Sequence, residues 1–429
     1  MLTGHRPASE IVTVLDLGTS KISCIIAERV FGPGEQGPQI SRVLGFGQHR
    51  ADGIRGGIVV DLDRAEIGVR HAVGQAEDQA GITIDDVIVA VSSGRLGSSH
   101  FSAHVSLEEG QVRLQDVSRL AVRARDYAER GGRRLIHIDR INYALDDQTD
   151  IHEPLHMLGK NLTCQYHAVT ADATLLGNLE SLIARCYLSV RSFVPTALAS
   201  ALAATTPDEQ TYGVLSIDMG AGATNIALLA GGRFICTDTI AVGGANLTHD
   251  IGTILSAPLA EAERIKTLYG TMVCARSDET SFVPHLRNGK ASDDSEQSGY
   301  GEEYQTTRAE LSRILYPRAR RQLELIGERL KCNPLVEEFA QSIVLTGGAS
   351  QLTGLADLAS DVLGRPVRIG EPGAVDGLSD AFWGPASSTA VGLCRAKAIS
   401  AKRSPSSWGT PIVRESYLSR MEQWLRESF

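Results

Sequence analysis

IVTVLDLGTSKISCIIAE (residues 11–28) and GVLSIDMGAGATNIALLAGG (residues 213–232) are built alike, about 200 residues apart. Each has an apolar run, an Asp-x-Gly, a few small or hydroxyl residues and a second apolar run. That is the pattern of a β-hairpin whose turn carries an acid. Glycine permits unusual backbone angles and removes the Cβ, so main-chain N–H groups in such a turn can face an anion closely. A carboxylate at a strand end suits a hydrated Mg²⁺, which keeps most of its waters and bridges to phosphate. Asp16, Gly18, Thr19, Ser20 and Lys21 form one such unit. Asp218, Gly220, Gly222, Thr224 and Asn225 form the other. Facing each other, the two units would clamp a nucleotide, with Asp16 and Asp218 reaching the metal through water. A single copy is equally an ordinary tight hairpin; the duplication turns the reading toward phosphate.

SIVLTGGASQLTGLADLASDVLG (residues 342–364) adds a third element. It reads as a buried strand, then Gly347-Gly348-Ala349, then an amphipathic helix from near Leu352. A strand–GG–helix turn lets a ribose or flat ring approach the backbone, although alone it fits any α/β loop. In this order and spacing the three segments resemble the phosphate 1, phosphate 2 and adenosine motifs of the actin, Hsp70 and sugar-kinase superfamily. The resemblance implies an α/β, actin-like ATPase fold of two related RNase H-like lobes around a nucleotide cleft. It implies ATP and Mg²⁺ as cofactors.

Further stretches resemble one branch of that superfamily, the bacterial cell-division FtsA family. They are GGIVVDLDRAEIGVRHAVGQAEDQAGITIDDVIVAVSSG (residues 56–94), AVGGANLTHDI (241–251), APLAEAERIKTLYG (257–270) and ASSTAVGLCRAKA (386–398). The resemblance places Glu263 and Lys266 beside the ribose and base; a solvated helix with an ion pair spaced three apart fits the same residues. It divides the chain into subdomain 1A (1–84 and 167–209), an inserted 1C (85–166), 2A (210–250 and 312–375) and a small 2B (251–311). A helix closing 1A (376–398), a flexible linker (399–413) and an amphipathic membrane-targeting helix (414–429) complete it. Arg123, Arg125, Arg130, Arg133 and Arg134 make one side of 1C basic, as a solvated face or a contact with a neighbouring subunit.

Two departures bear on chemistry. Superfamily members that hydrolyse ATP usually carry Glu or Gln just before the connecting helix, where SFVPTALASALA places Val194. Valine neither orients water nor accepts a proton. The second turn has Asn225 where Asp is common, and Ala221 and Ala223 where glycines are, so those alanines are expected to keep negative φ. ATP binding with slow or negligible hydrolysis follows.

Composition narrows the partners. A formal net charge of −9 over 429 residues argues against nucleic acid. No run of about 18 apolar residues spans a membrane, and the start lacks an apolar core for a signal peptide. Seven dispersed cysteines without a C-x-x-C pair read as reduced thiols of a cytoplasmic protein.

The last residues, YLSRMEQWLRESF (417–429), follow a stretch rich in Ser, Pro and Gly with the composition of a tether. On a helical wheel Tyr417, Leu418, Met421, Trp424, Leu425 and Phe429 share an arc of about 140°. Arg and Glu balance from Arg414 to Glu427, so apolar insertion outweighs electrostatic attraction to lipid. Such a helix either packs on its own core or lies on a membrane; the tether and the resemblance favour the membrane. By resemblance the protein is a peripheral protein of the cytoplasmic face of the inner membrane at the division site. It would form protofilaments with itself and bind the C-terminal peptide of the tubulin-like FtsZ and other division proteins. RAELSRILYPRARRQLELIGERL (308–330) offers Arg308, Arg313 and Arg318, with Arg320 and Arg321, to that acidic peptide, or as a solvated helix face. A pilus-assembly scaffold of the same fold and a small-molecule kinase of the same superfamily are the alternatives. No function is read from the polar segment 275–304.

Overall fold

A computed structural model describes residues 9–31, 38–92, 96–287, 303–378 and 382–397. The linker, the terminal helix with its apolar stripe, and residues 288–302 of the polar segment lie outside the described residues.

Strands β1 (Ser9–Leu17) and β2 (Lys21–Val30) form the first hairpin, and β2 pairs antiparallel with β3 (Gln39–Arg50). After a short hairpin of β4 (Ile54–Arg55) and β5 (Ile58–Val59), helix α1 (Leu62–Ala80) starts on Asp61. The Asp61 carboxylate accepts from the amides of Asp63 and Arg64, and left-handed Gly81 ends the helix. Strand β6 (Asp86–Val91) then runs parallel to β1, with β11 (Ser189–Pro195) parallel on its other side. The first sheet therefore has the order β11-β6-β1-β2-β3. The reading from sequence assigned DVIVAV to the start of the insert, and the sheet corrects it. Five consecutive buried residues, Val87 to Val91, mark a central parallel strand covered on both faces.

The insert is a separate layer. Strands β7 (Gly97–Ser106), β8 (Arg133–Leu145), β9 (Gln148–Ile151) and β10 (Asn161–Asp172) form an antiparallel sheet in the order β7-β10-β8-β9. Helix α2 (Leu114–Ala128) covers it, and Val105, Leu120, Leu162 and Tyr166 belong to its own core. Its bounds are thus 97–172, where 85–166 was expected. Four of the five arginines of the basic side find polar partners in the chain: Arg134 is bidentate to Glu180, Arg125 pairs with Glu129, Arg133 donates to Thr170 and Arg123 to the carbonyl of His104; Arg130 lies over the Tyr127 ring.

Helix α3 (Ala173–Arg185) returns the chain to β11. Beyond α4 (Thr196–Ala204) and α5 (Pro207–Tyr212), the second lobe repeats the first. Strands β12 (Val214–Met219), β13 (Thr224–Ala230) and β14 (Arg233–Ile240) form an antiparallel meander. Strands β17 (Ser342–Thr346) and β18 (Val367–Ile369) extend it in parallel, giving β14-β13-β12-β17-β18. Between β14 and β17 lie α6 (Gly244–Leu255), α7 (Leu259–Tyr269), the hairpin β15 (Phe282–Leu286) and β16 (Glu303–Thr307), α8 (Arg308–Lys331) and α9 (Pro334–Phe339). One helix, α8, runs through the 311/312 boundary drawn between 2B and 2A. Helix α10 (Leu355–Leu363) starts later than Leu352, because Gly354 at φ +78° caps it.

The lobes share a wall. Helix α4, nearly all alanine and leucine, packs against α11 (Ser388–Arg395), the closing helix expected in 376–398. A Cβ on Gly392 would lie 1.7 Å from the Ala199 carbonyl oxygen, so the two backbones touch. Val214, Leu229 and Val344 of the second lobe are buried in the same cluster as Ala199 and Val391. Gly392→Ala must push α11 off α4 and is expected to lower stability by about 2 kcal/mol or more. Gly74→Ala, mid-helix in α1 with open space around it, is expected to add about 0.5–1 kcal/mol. Thermal melts of both variants check this pair.

Candidate functional site

Asp16 and Asp218 occupy the same place in their lobes, one residue before the ends of β1 and β12. Each turn closes alike: the amide of Gly18 donates to the Lys21 carbonyl and that of Gly220 to the Ala223 carbonyl, both at 3.0 Å. The glycines are needed here for space and not for angle, since Gly18, Gly220 and Gly222 all lie outside the left-handed region. A Cβ on Gly18 would lie 2.7 Å from the Lys21 carbonyl oxygen, and one on Gly222 2.5 Å from the Thr19 hydroxyl. The second contact joins the two hairpins tip to tip across the cleft. Ala221 and Ala223 avoid positive φ, as expected. Amides at the start of α6 hold the second turn, Gly244 donating to the Gly220 carbonyl at 2.9 Å and Ala245 to that of Ala221 at 2.8 Å.

These turns open on a cavity of about 440 Å³. It is lined by Asp16, Gly18, Thr19, Ser20 and Lys21 from the first hairpin and Asp218, Gly220, Gly222 and Asn225 from the second. Gly347, Gly348 and Ala349 close a third side, and Glu263 and Lys266 a fourth. Segments more than 300 residues apart in sequence thus meet at one site, as the motif reading expects. Lys266 is 7% exposed, which removes the solvated-helix alternative for it. Its Nζ donates to Glu263 Oε2 at 2.6 Å and to the Thr248 hydroxyl at 2.9 Å. Gly347 takes φ +86°, and a Cβ there would lie 2.3 Å from Asp218 Oδ1.

Two expectations change, and a third gains detail. Thr224 is fully buried, is not among the lining residues, and gives its hydroxyl to the Val242 carbonyl at 2.8 Å; it braces the loop before α6. Val194 is buried in β11, and Thr196, at the start of α4, lines the cavity in that region. Arg308 and Arg318 are drawn to acids of their own chain: Arg318 is bidentate to Asp250 at 2.6 and 2.9 Å, and Arg308 lies 3.9 Å from Asp278. Arg313 pairs with Glu279 at 2.6 Å and also lines a groove with Ile254, His285, Arg287, Tyr304 and Ile314. The sequence reading missed Ser92, Thr196, Gln351 and Thr389 in the main cavity. The paired hydroxyls opening ASSTAVGLCRAKA were the available signal for Thr389.

Electrostatics single out the acids. Burial, then the charge of Asp218, pushes Asp16 up to about 7 against the opposing pull of Lys21. Burial pushes Asp218 up to about 6, against hydrogen bonds from Thr389 and Ser200. Burial also lowers Lys21. Asn225 stands directly across from Asp218 in the hairpin, so an aspartate there would add a third carboxylate to this pocket. Two carboxylates that resist ionisation, one half-buried and one buried, form a hard-oxygen donor set suited to a hydrated Mg²⁺. Among the described residues no group of three or more His, Cys, Asp or Glu forms a metal cage. A cation here would complete its shell with water and phosphate. It would neutralise charge on a bound polyphosphate, while the turn amides and Lys21 orient that group.

The sign for stability follows. Raised carboxyl pKa values contribute stability present below the unfolded range near pH 4 and lost as pH rises through about 6 to 7. Without Mg²⁺, Asp16→Asn is therefore expected to melt above the unsubstituted protein at pH 8, by about 2–4 °C, and the gap should narrow clearly at pH 5. Scanning fluorimetry at the two pH values checks it.

Two family models match: Cell division protein FtsA over residues 215–392, and the SHS2 domain inserted in FtsA over residues 93–170, close to the observed insert. The chain is 38% identical to the cell division protein FtsA of Agrobacterium fabrum, covering 98% of this chain and 95% of that protein. It is 29% identical to those of Pseudomonas aeruginosa, over 98% of this chain and 99% of that protein, and Escherichia coli, over 98% of each. Among solved structures it resembles a PilM–PilN type IV pilus biogenesis complex at TM-score 0.59 and 16% identity, covering 89% of this chain and 97% of that chain. It also resembles MreB5 of Spiroplasma citri bound to ADP, at TM-score 0.53 and 15% identity, covering 89% and 94%. These two likenesses establish the actin-like fold.

Proposed function

The chain belongs to the FtsA family of actin-like cell-division proteins, and from that premise we propose that it is an ATP-dependent membrane tether of the division ring. ATP with Mg²⁺ occupies the cleft between the lobes, phosphates against the two hairpin turns and adenosine against Gly347–Ala349, Glu263 and Lys266. The observation that carries the reading is the convergence of both hairpins and the Gly-Gly turn on one cavity with Asp16 and Asp218 at its floor. MreB5 of Spiroplasma citri, with the same fold, has been solved with ADP and with AMPPNP. Turnover is slow, because Val194 leaves no general base before α4. A purified protein hydrolysing several ATP per second would refute that.

The nucleotide-bound protein assembles with copies of itself on the inner face of the membrane. Residues 417–429 insert Leu418, Trp424, Leu425 and Phe429 into the headgroup boundary, with Tyr417 and Met421 beside them. One such helix is a weak anchor, and assembly multiplies it. The groove of Ile254, His285, Arg287, Tyr304, Arg313 and Ile314 receives the acidic FtsZ peptide. Its cationic and apolar side chains support that role, the lining acid Glu310 being taken up by the Thr306 hydroxyl and the Thr307 amide, and the Arg287 guanidinium sits 4.4 Å above the Tyr304 ring.

Flotation with phosphatidylethanolamine/phosphatidylglycerol vesicles tests the tether. Full-length protein is expected in the top fraction and Trp424→Glu in the bottom one, with little change between low and moderate salt. Equal flotation of the two would remove the anchor role from this segment. For the groove, Arg313→Glu is expected to weaken a fluorescent FtsZ C-terminal peptide by about tenfold in anisotropy titrations.

A further inference from the structure

We propose that Thr389 is a positioning residue for cation binding. Carried by the closing helix of the first lobe, it fixes the orientation of the Asp218 carboxylate in the second. The inference rests on the reading of the cleft as an Mg²⁺–nucleotide site and adds to it a residue from the opposite lobe.

The Thr389 hydroxyl donates to Asp218 Oδ2 at 3.1 Å, with both side chains less than a tenth exposed. The other oxygen depends on Gly347: Oδ1 sits 2.3 Å from where a Cβ on that residue would stand, so any side chain there would displace it. One oxygen is therefore held by the Thr389 bond and the other has room because Gly347, at a φ of +86° that no ordinary side chain adopts readily, carries no Cβ; Ser200 of the first lobe is a further donor to the same carboxylate. The donor itself has little freedom. Next to it, the Ser388 hydroxyl lies 2.7 Å from that of Thr346, the β17 residue paired with Asp218 across the sheet. The Pro385 carbonyl accepts from the amide of Gly347 at 3.1 Å.

Further along α11, Gly392 lies against the Ala199 backbone. At the far end the buried guanidinium of Arg29 donates to the carbonyls of Cys394 and Ala396 at 3.5 and 3.2 Å. The helix is thus fixed to the first lobe at its middle and end, and its first turn reaches across to the second. Thr389 couples the two: the carboxylate keeps its aim at the cation only while the lobes are apposed as they are here. Asp16, the matching acid of the first lobe, is contributed by that lobe's own hairpin, so the two acids are presented together only in this apposition.

The test separates metal from nucleotide. Binding of mant-ATP to the full-length protein is measured in EDTA and across an Mg²⁺ titration, for the unsubstituted protein, Thr389→Val and Thr389→Ser. Thr389→Val is expected to need about tenfold more Mg²⁺ for half-maximal binding, the value of one charge-assisted hydrogen bond, with EDTA affinity within twofold. Thr389→Ser, which keeps the hydroxyl, is expected to return to within about threefold of the unsubstituted protein. Melting curves without nucleotide confirm folding, and Thr389→Ala replaces the valine variant if that one does not fold. A valine variant that titrates with Mg²⁺ like the unsubstituted protein overturns the role of Thr389, as does a serine variant as impaired as valine. Unsubstituted protein that binds no mant-ATP at any Mg²⁺ concentration overturns the nucleotide reading itself, and this inference with it.

Discussion

Two carboxylates facing one cleft, the half-buried Asp16 and the buried Asp218, set the terms for the rest of the molecule. Burial holds both well above the usual carboxylate range, the charge of Asp218 raises Asp16 further, and Lys21 offsets only part of it. A chain that folds around such a pair carries an unfavourable charge arrangement that a bound cation would relieve. The surrounding architecture keeps the pair in place: each acid ends a central strand, each turn is closed by the same glycine-to-carbonyl bond, and the hairpin tips meet where Gly222 admits Thr19. Asn225 belongs to the same logic, because an acid there would face Asp218 directly.

The two lobes are repeats in topology, yet they are not independent bodies. The wall of α4 and α11 is made almost wholly of small residues, and its core runs on into Val214, Leu229 and Val344 of the second lobe. Backbone contact at Gly392 makes that wall stiff, and its polar end reaches Thr346 and Asp218 of the second lobe through Ser388 and Thr389. The insert and the second lobe also touch, where His167 and His137 meet the ring of Phe234 edge-on and Ser98 accepts from the amide of Thr237 at 3.2 Å. A motion between lobes would therefore act on the acids and on the insert at once.

Much of this was legible in the residues. The hairpins follow from apolar runs broken by Asp-x-Gly, and the Gly347–Gly348 turn from two glycines between a buried strand and a helix. Lys266 needed the fold, because its helix spacing is that of any solvated pair until Gly244 and Thr248 are seen beside it. Local pattern could not decide the parent sheet of DVIVAV, since a continuous apolar run does not name its neighbours. Thr224 looked like a phosphate ligand from its place in the turn, but side chains alternate along a strand and it points away from the cleft. The arginines of α8 read as a free cationic face because Asp250 and Glu279, which pair with Arg318 and Arg313, are far from them in sequence. Thr389 was hidden for the same reason: its partner Asp218 lies 171 residues away.

The location of the cation is the most direct measurement on the central pair. In crystals grown with AMPPNP and Mn²⁺ in place of Mg²⁺, anomalous scattering is expected to give one strong peak between the Asp16 and Asp218 carboxylates, bridged to them by water and touching the phosphates. A nucleotide bound elsewhere, or a metal peak beyond the water-mediated reach of both acids, would contradict the assignment of this cleft.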